Sequence, residues 1–201
     1  MTRSVLPAAA LACACAIATA GVDLTELRLG PGFWSQPWRL FTAHLAHASA
    51  THFALDVGAG VALVLLGASL RSFLWLAPVV AIGVAGARPD LAAYVGLSGV
   101  LHGWFAQVAM KRAPWLLLVV GAKVAHELLT GGTTMAALPI GAAPVPEAHA
   151  IGLLAGCLGA MEQLRSTGAR RKAMAPRSSR ASGSDLAEDT SRPGWQRHAT
   201  R

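Results

Sequence analysis

The sequence predicts an all-α membrane protein: a bundle of six transmembrane helices followed by a disordered C-terminal tail. Three observations lead there. The chain is 54% hydrophobic and only 13% charged, and its mean hydropathy of +0.48 lies above what a water-soluble domain usually shows. Its apolar residues fall into blocks about as long as a bilayer is thick. After Leu164 the composition shifts abruptly to Arg, Ser, Gly and acidic residues with almost nothing to bury, which predicts a disordered segment held near anionic lipid by charge. More than half of the 17 Lys and Arg residues lie in that tail, so the net charge of +7 describes the tail and implies no nucleic-acid partner.

The apolar stretches run over 5–22, 53–70, 73–87, 91–110, 113–129 and 148–164, which fits six helices of about 15–20 residues, several of them short. The first follows Arg3 and ends in Ala18-Thr19-Ala20, so it also fits a cleaved signal peptide. Arg3, Arg71, Lys111, Arg112 and the tail fall on one side of the membrane and Arg28, Arg39 and Arg88 on the other, which places both termini in the cytoplasm. The loop over 23–51 then lies outside. Its Gly30-Pro31-Gly32-Phe33-Trp34-Ser35-Gln36-Pro37-Trp38 run mixes turn formers with interfacial aromatics, as expected of a segment along the membrane surface. Cys13, Cys15 and Cys157 give neither a disulfide framework nor a metal spacing.

An ionisable side chain inside a hydrophobic span costs roughly 2.5–3.5 kcal/mol on insertion scales and needs a partner, a wet cavity or a function. The candidates are His52 and Asp56 at the start of the second span, Ser98 and His102 in the fourth, Lys123, His126 and Glu127 in the fifth, and His149 opening the sixth. His52, Ser98 and His149 all begin spans from the outer side and share one depth. Gly96-Leu97-Ser98-Gly99 interrupts the fourth span, and non-helical backbone at that depth implies a water-filled pocket. A helix starting near Ser98 would set its hydroxyl beside unsatisfied N–H groups and the positive end of the helix dipole, which suits a nucleophile. The same residues also fit a plain N-cap with glycines that allow close packing.

A serine nucleophile needs a base, and two histidines compete. His102 lies one turn below Ser98 on the same helix face. His149 comes from another helix, where Gly152 and Gly156 form a small-xxx-small face matching Gly99 and Gly103 beside Ser98; packing these faces would bring His149 to Ser98. Lys123 and Glu127 form an i,i+4 pair, open to two readings: mutual neutralisation with contacts to backbone or Asp56, or substrate recognition by Glu127. His44 and His47 precede the second span, but with His52 they lack carboxylate or cysteine partners for a metal. No metal and no cofactor are expected.

Together these residues resemble the rhomboid intramembrane proteases over about residues 1–165, with the tail, 166–201, outside the resemblance. The pieces are Trp38-Arg39-Leu40-Phe41-Thr42, His52-Phe53-Ala54-Leu55-Asp56 where rhomboids carry His-x-x-x-Asn, Gly96-Leu97-Ser98-Gly99 as Gly-x-Ser-Gly, and His149 with Gly152 and Gly156. The resemblance implies a rhomboid-like bundle with Ser98 as nucleophile, His149 as base, and an oxyanion hole whose surroundings comprise His52, Leu97, Asp56 and His102. Two departures stand out. An ionised Asp56 cannot donate to an oxyanion, so it is protonated, acts through water or serves another purpose. His102 stands where many rhomboids stack an aromatic ring on the catalytic imidazole.

The run over 96–103, with Lys123 and Glu127, looks like the rhombosortase branch. This implies substrates anchored by a C-terminal Gly-Gly motif, one transmembrane helix and a basic end. The expected setting is a bacterial inner membrane with the active site facing the periplasm. Two other classes stay open. One is a rhomboid-like protein that binds transmembrane helices without cutting them. The other is a small proton-coupled transporter using Lys123, Glu127 and Asp56 as a relay.

Overall fold

The computed structural model describes residues 2–132 and 145–174, with side chains described over 5–132 and 145–169. The described residues form α-helices and short 3-10 turns, with one isolated antiparallel bridge and no strand. In chain order the helices are α1 (Thr2–Gly21), α2 (Leu24–Leu27), α3 (Arg39–Thr42), α4 (Ala50–Leu65), α5 (Phe73–Ala87), α6 (Ser98–Arg112), α7 (Leu116–Thr130) and α8 (Pro146–Met174). Each of the six apolar stretches thus carries one long helix. Among the described residues, Leu70–Ala87 is the one segment long and apolar enough, by length and composition, to cross a membrane; Val5–Gly21 and Ala50–Leu65 are shorter apolar helices.

Local chemistry sets the boundaries. Asp23 caps α2 by accepting the Thr25 N–H at 2.8 Å, and this bond holds its carboxyl below the usual carboxylate range. The Ser49 side chain caps α4 by accepting the His52 N–H at 3.1 Å. The chain turns at Gly67 with φ +104°, which ends α4 short of the predicted 70. Pro146, whose missing N–H costs nothing in a first turn, opens α8. That helix runs on to Met174, so 166–174 are helical where a disordered tail was expected; the Ala, Arg, Lys and Met of this segment favour helix without needing a core. The rest of the predicted tail, 175–201, lies outside the described residues. Contacts divide the chain into two units at Leu164 and Arg165.

α6 lies at the centre of the first unit. It packs against α4, α5 and α7, and Leu97, Val100 and Trp104 are fully buried. Trp104 donates its indole N–H to Ser72 Oγ at 2.9 Å, and Ser72 donates in turn to the Ser69 carbonyl at 2.7 Å, so the buried ring leaves no orphan donor. α1 packs along α4 and supplies Leu11 and Cys15 to the core, while Cys13 faces outward. Many large apolar side chains point away from the protein, among them Leu6, Leu74, Leu118, Leu129 and Leu154.

A break at 96–99 with a helix starting near Ser98 was expected, and α6 starts there; the segment over 91–97, the first part of the fourth apolar stretch, was otherwise read as span. It is not helical: Tyr94 pairs with Leu29 through two backbone hydrogen bonds of 3.0 and 2.8 Å, and the Gly96 N–H bonds the Ala43 carbonyl at 2.9 Å. Gly96 has φ +119°, and a Cβ there would sit 2.6 Å from the His52 ring. Gly96 is therefore a backbone requirement of the loop before α6, not the helix-packing residue expected.

Candidate active site

Ser98 is the first residue of α6, and His149 lies in the first turn of α8. The two helices meet at glycines: a Cβ on Gly152 would collide with the Gly99 carbonyl oxygen, and one on Gly156 with that of Gly103. This backbone-to-backbone approach brings His149 Nε2 to 3.0 Å from Ser98 Oγ. Both residues are partly exposed. The predicted juxtaposition of small-residue faces is thus what joins the pair.

Hydrogen-bond partners fix the tautomers. His149 Nδ1 lies 2.8 Å from Glu127 Oε2. A carboxylate only accepts, so Nδ1 carries the hydrogen and Nε2 presents its lone pair to the Ser98 hydroxyl. His102 is turned elsewhere. Its Nδ1–H donates to the Ser98 carbonyl at 2.7 Å, and its Nε2 accepts from Lys123 Nζ at 3.1 Å. Of the two competing histidines, His149 alone faces the hydroxyl. The His102 ring stacks on it, with centroids 4.2 Å apart and planes 16° apart.

Lys123 and Glu127 form the expected ion pair at 2.8 Å, with Glu127 Oε1 facing the ammonium and Oε2 facing His149. The contact of Glu127 with His149 was not anticipated; of the further partners offered for this pair, backbone or Asp56, Asp56 contacts His47, His52 and the Leu97 N–H instead. Two αL glycines close α7: Gly131 and Gly132 both donate to the Glu127 carbonyl and hold that last turn in place. Donor atoms of His102, Glu127 and His149 lie within 4.8 Å of one another. Their arrangement suits a hydrogen-bond chain better than a metal, because near-parallel rings aim their in-plane lone pairs side by side and the Lys123 ammonium already supplies the cation.

Asp56 serves another purpose than oxyanion binding. Its Oδ2 accepts the Leu97 N–H at 2.8 Å, and lies 3.2 Å from His52 Nε2 and 3.4 Å from His47 Nε2. The Leu97 N–H is thereby engaged, which removes Leu97 from the predicted oxyanion donors. Behind the same loop, His44 is fully buried; its Nε2 lies 2.9 Å from the Ala77 carbonyl, while the Tyr94 hydroxyl donates to the Gly96 carbonyl at 3.2 Å. These braces hold the Gly96-Leu97 turn that presents Ser98. His52 packs against Gly96, close to the first-turn N–H groups of α6 that have no intrahelical acceptor. A cavity of about 160 Å³ beside Arg88 and one of about 660 Å³ beside Arg71 do not include Ser98 or His149.

Replacing Asp56 with alanine strands a buried backbone donor and two imidazoles, and the expected loss is about 2 kcal/mol of stability; asparagine keeps an acceptor for Leu97 and should lose less. Thermal unfolding in detergent checks the order, and equal melting temperatures for the alanine variant and wild type would refute the brace. No protein-family model matches the chain, and no curated protein matches it.

Proposed function

We propose that the chain is an intramembrane serine endopeptidase of the kind the rhomboid resemblance implies, with Ser98 as nucleophile and His149 as base. The observation that carries the reading is the 3.0 Å contact of His149 Nε2 with Ser98 Oγ, with Nδ1 tied to a carboxylate so that the lone pair faces the hydroxyl. Ser98 Oγ attacks a peptide carbonyl and its proton passes to Nε2. First-turn N–H groups of α6, at the positive end of the helix dipole, and His52 beside them receive the oxyanion. The tetrahedral intermediate collapses, His149 protonates the leaving amine, and an acyl-enzyme remains. Water then gives a proton to His149 as it attacks the ester, and when the second tetrahedral intermediate collapses His149 passes that proton to Ser98 Oγ, releasing the acid.

The outward-facing leucines favour a lipid surround, in which α1, α4, α5, α6, α7 and α8 serve as six spans, with both termini cytoplasmic and Ser98 opening to the periplasm of a bacterial inner membrane. The substrates in this reading are secreted proteins held by a C-terminal transmembrane helix behind a Gly-Gly pair. Two glycines weaken helix by roughly 1 kcal/mol each relative to alanine, so the chain can unwind there and enter the site. A proton relay needs Asp56 alongside Lys123 and Glu127, but Asp56 pairs instead with His47, His52 and Leu97, which disfavours the transporter.

The test uses the purified full chain in detergent. A fluorophosphonate probe is expected to label it covalently. A reporter made of a soluble domain, Gly-Gly, one apolar helix and a cluster of arginines is expected to be cut near the glycines. A chain that neither labels nor cuts is not a protease.

A further inference from the structure

We infer that Glu127 is the third member of the catalytic relay, a positioning residue that turns the expected Ser-His dyad into a Ser98–His149–Glu127 triad, with Lys123 as the clamp that holds it. The inference rests on the protease reading and adds a residue to it. Glu127 comes from α7, Ser98 from α6 and His149 from α8, so three helices must dock to assemble the line. Along it, Ser98 Oγ is 3.0 Å from His149 Nε2, and His149 Nδ1 is 2.8 Å from Glu127 Oε2. Such a carboxylate performs two tasks: it selects the tautomer with a free Nε2, and it steadies the imidazolium formed when the serine proton arrives.

The second carboxylate oxygen explains the lysine. Lys123 Nζ lies 2.8 Å from Glu127 Oε1 and 3.1 Å from His102 Nε2. His102 Nδ1–H returns to the Ser98 carbonyl at 2.7 Å, and the His102 ring stacks on His149. The five residues therefore close a ring that begins at the Ser98 hydroxyl and ends at the Ser98 backbone carbonyl. In that ring Glu127 is pinned at both oxygens and cannot rotate away from His149. A pair present only to neutralise itself would need Lys123 and Glu127 alone; it gives no reason for Oε2 to reach His149 or for the ammonium to meet His102.

The experiment measures fluorophosphonate labelling of the full chain in detergent, separating the maximal rate from the half-saturating concentration. Glu127→Gln, which keeps shape and loses charge, is expected to lower the maximal rate roughly 10³–10⁴-fold, with half-saturation within about threefold. In a His149→Ala background the same substitution should change the residual rate less than about threefold, because residues acting as one unit are not additive. Glu127→Asp should recover at least about tenfold over glutamine, and Lys123→Met should lose about tenfold.

Equal rates for Glu127→Gln and wild type would overturn the inference, as would an equal fractional loss with and without His149. If Glu127→Gln does not fold, Glu127→Asp decides: with melting retained it must label more slowly than wild type, and an unchanged rate refutes the triad. The underlying reading fails separately, when wild type and Ser98→Ala label alike.

Discussion

Replacing His149 with alanine is expected to lower reporter cleavage by roughly 10⁶-fold, as much as replacing Ser98 itself, because the two act as one unit. Without Nε2 at 3.0 Å from the hydroxyl, the serine keeps its proton and is a poor nucleophile. His102 offers no rescue although it sits one turn below Ser98. Its Nδ1–H is given to the Ser98 carbonyl and its Nε2 lone pair is filled by Lys123. Replacing His102 with alanine should accordingly cost far less than losing His149, since it removes a stacked neighbour and not the proton acceptor. Single-turnover cleavage of the Gly-Gly reporter measures both. An alanine variant at His149 that keeps a hundredth of wild-type activity would hand the base to another group.

What could be read ahead of the structure was the chemistry that leaves local marks. Ser98 stands between two glycines at a break in an apolar run, and His149 opens another run with glycines spaced to match; together they define one close helix crossing. Glu127 illustrates the opposite case. Its spacing from Lys123 was visible, but its contact with His149 depends on how α7 rotates against α6 and α8, which a pair of residues in one helix does not encode. Asp56 was harder still, because its partner is the Leu97 N–H, and every residue except proline has one. The boundaries that slipped did so for physical reasons also. The break at 96–99 was read, but the non-helical segment reaches back over 91–95, where the pairing of Tyr94 with Leu29 and the turn at Gly96, at positive φ, keep an apolar stretch out of the helix. The opposite error occurred past Leu164, where polar composition suggested disorder and helix propensity carried α8 to Met174.

The crossing of α6 and α8 carries the other large expected effect. Alanine at Gly152 adds one carbon, and that carbon would meet the Gly99 carbonyl oxygen. The obstacle is backbone in the middle of a helix turn, so no side chain can swing aside and the helices must part. Overpacking of this kind costs about 3 kcal/mol, read as a lower melting temperature in detergent. The functional loss follows from position. His149 lies three residues before Gly152 on α8, and Ser98 immediately before Gly99 on α6, so separating the glycines separates the Ser98 hydroxyl from the imidazole of the proposed base. A displacement on the order of 1 Å between reacting groups costs about 10²-fold in rate. Gly58, in α4, provides the control: a Cβ there meets nothing within 4 Å, and alanine should leave cleavage unchanged while favouring the helix by up to about 1 kcal/mol. If Gly152→Ala cuts the reporter and melts as wild type does, the helices do not cross at these glycines, and the contact between Ser98 and His149 loses the packing that produces it.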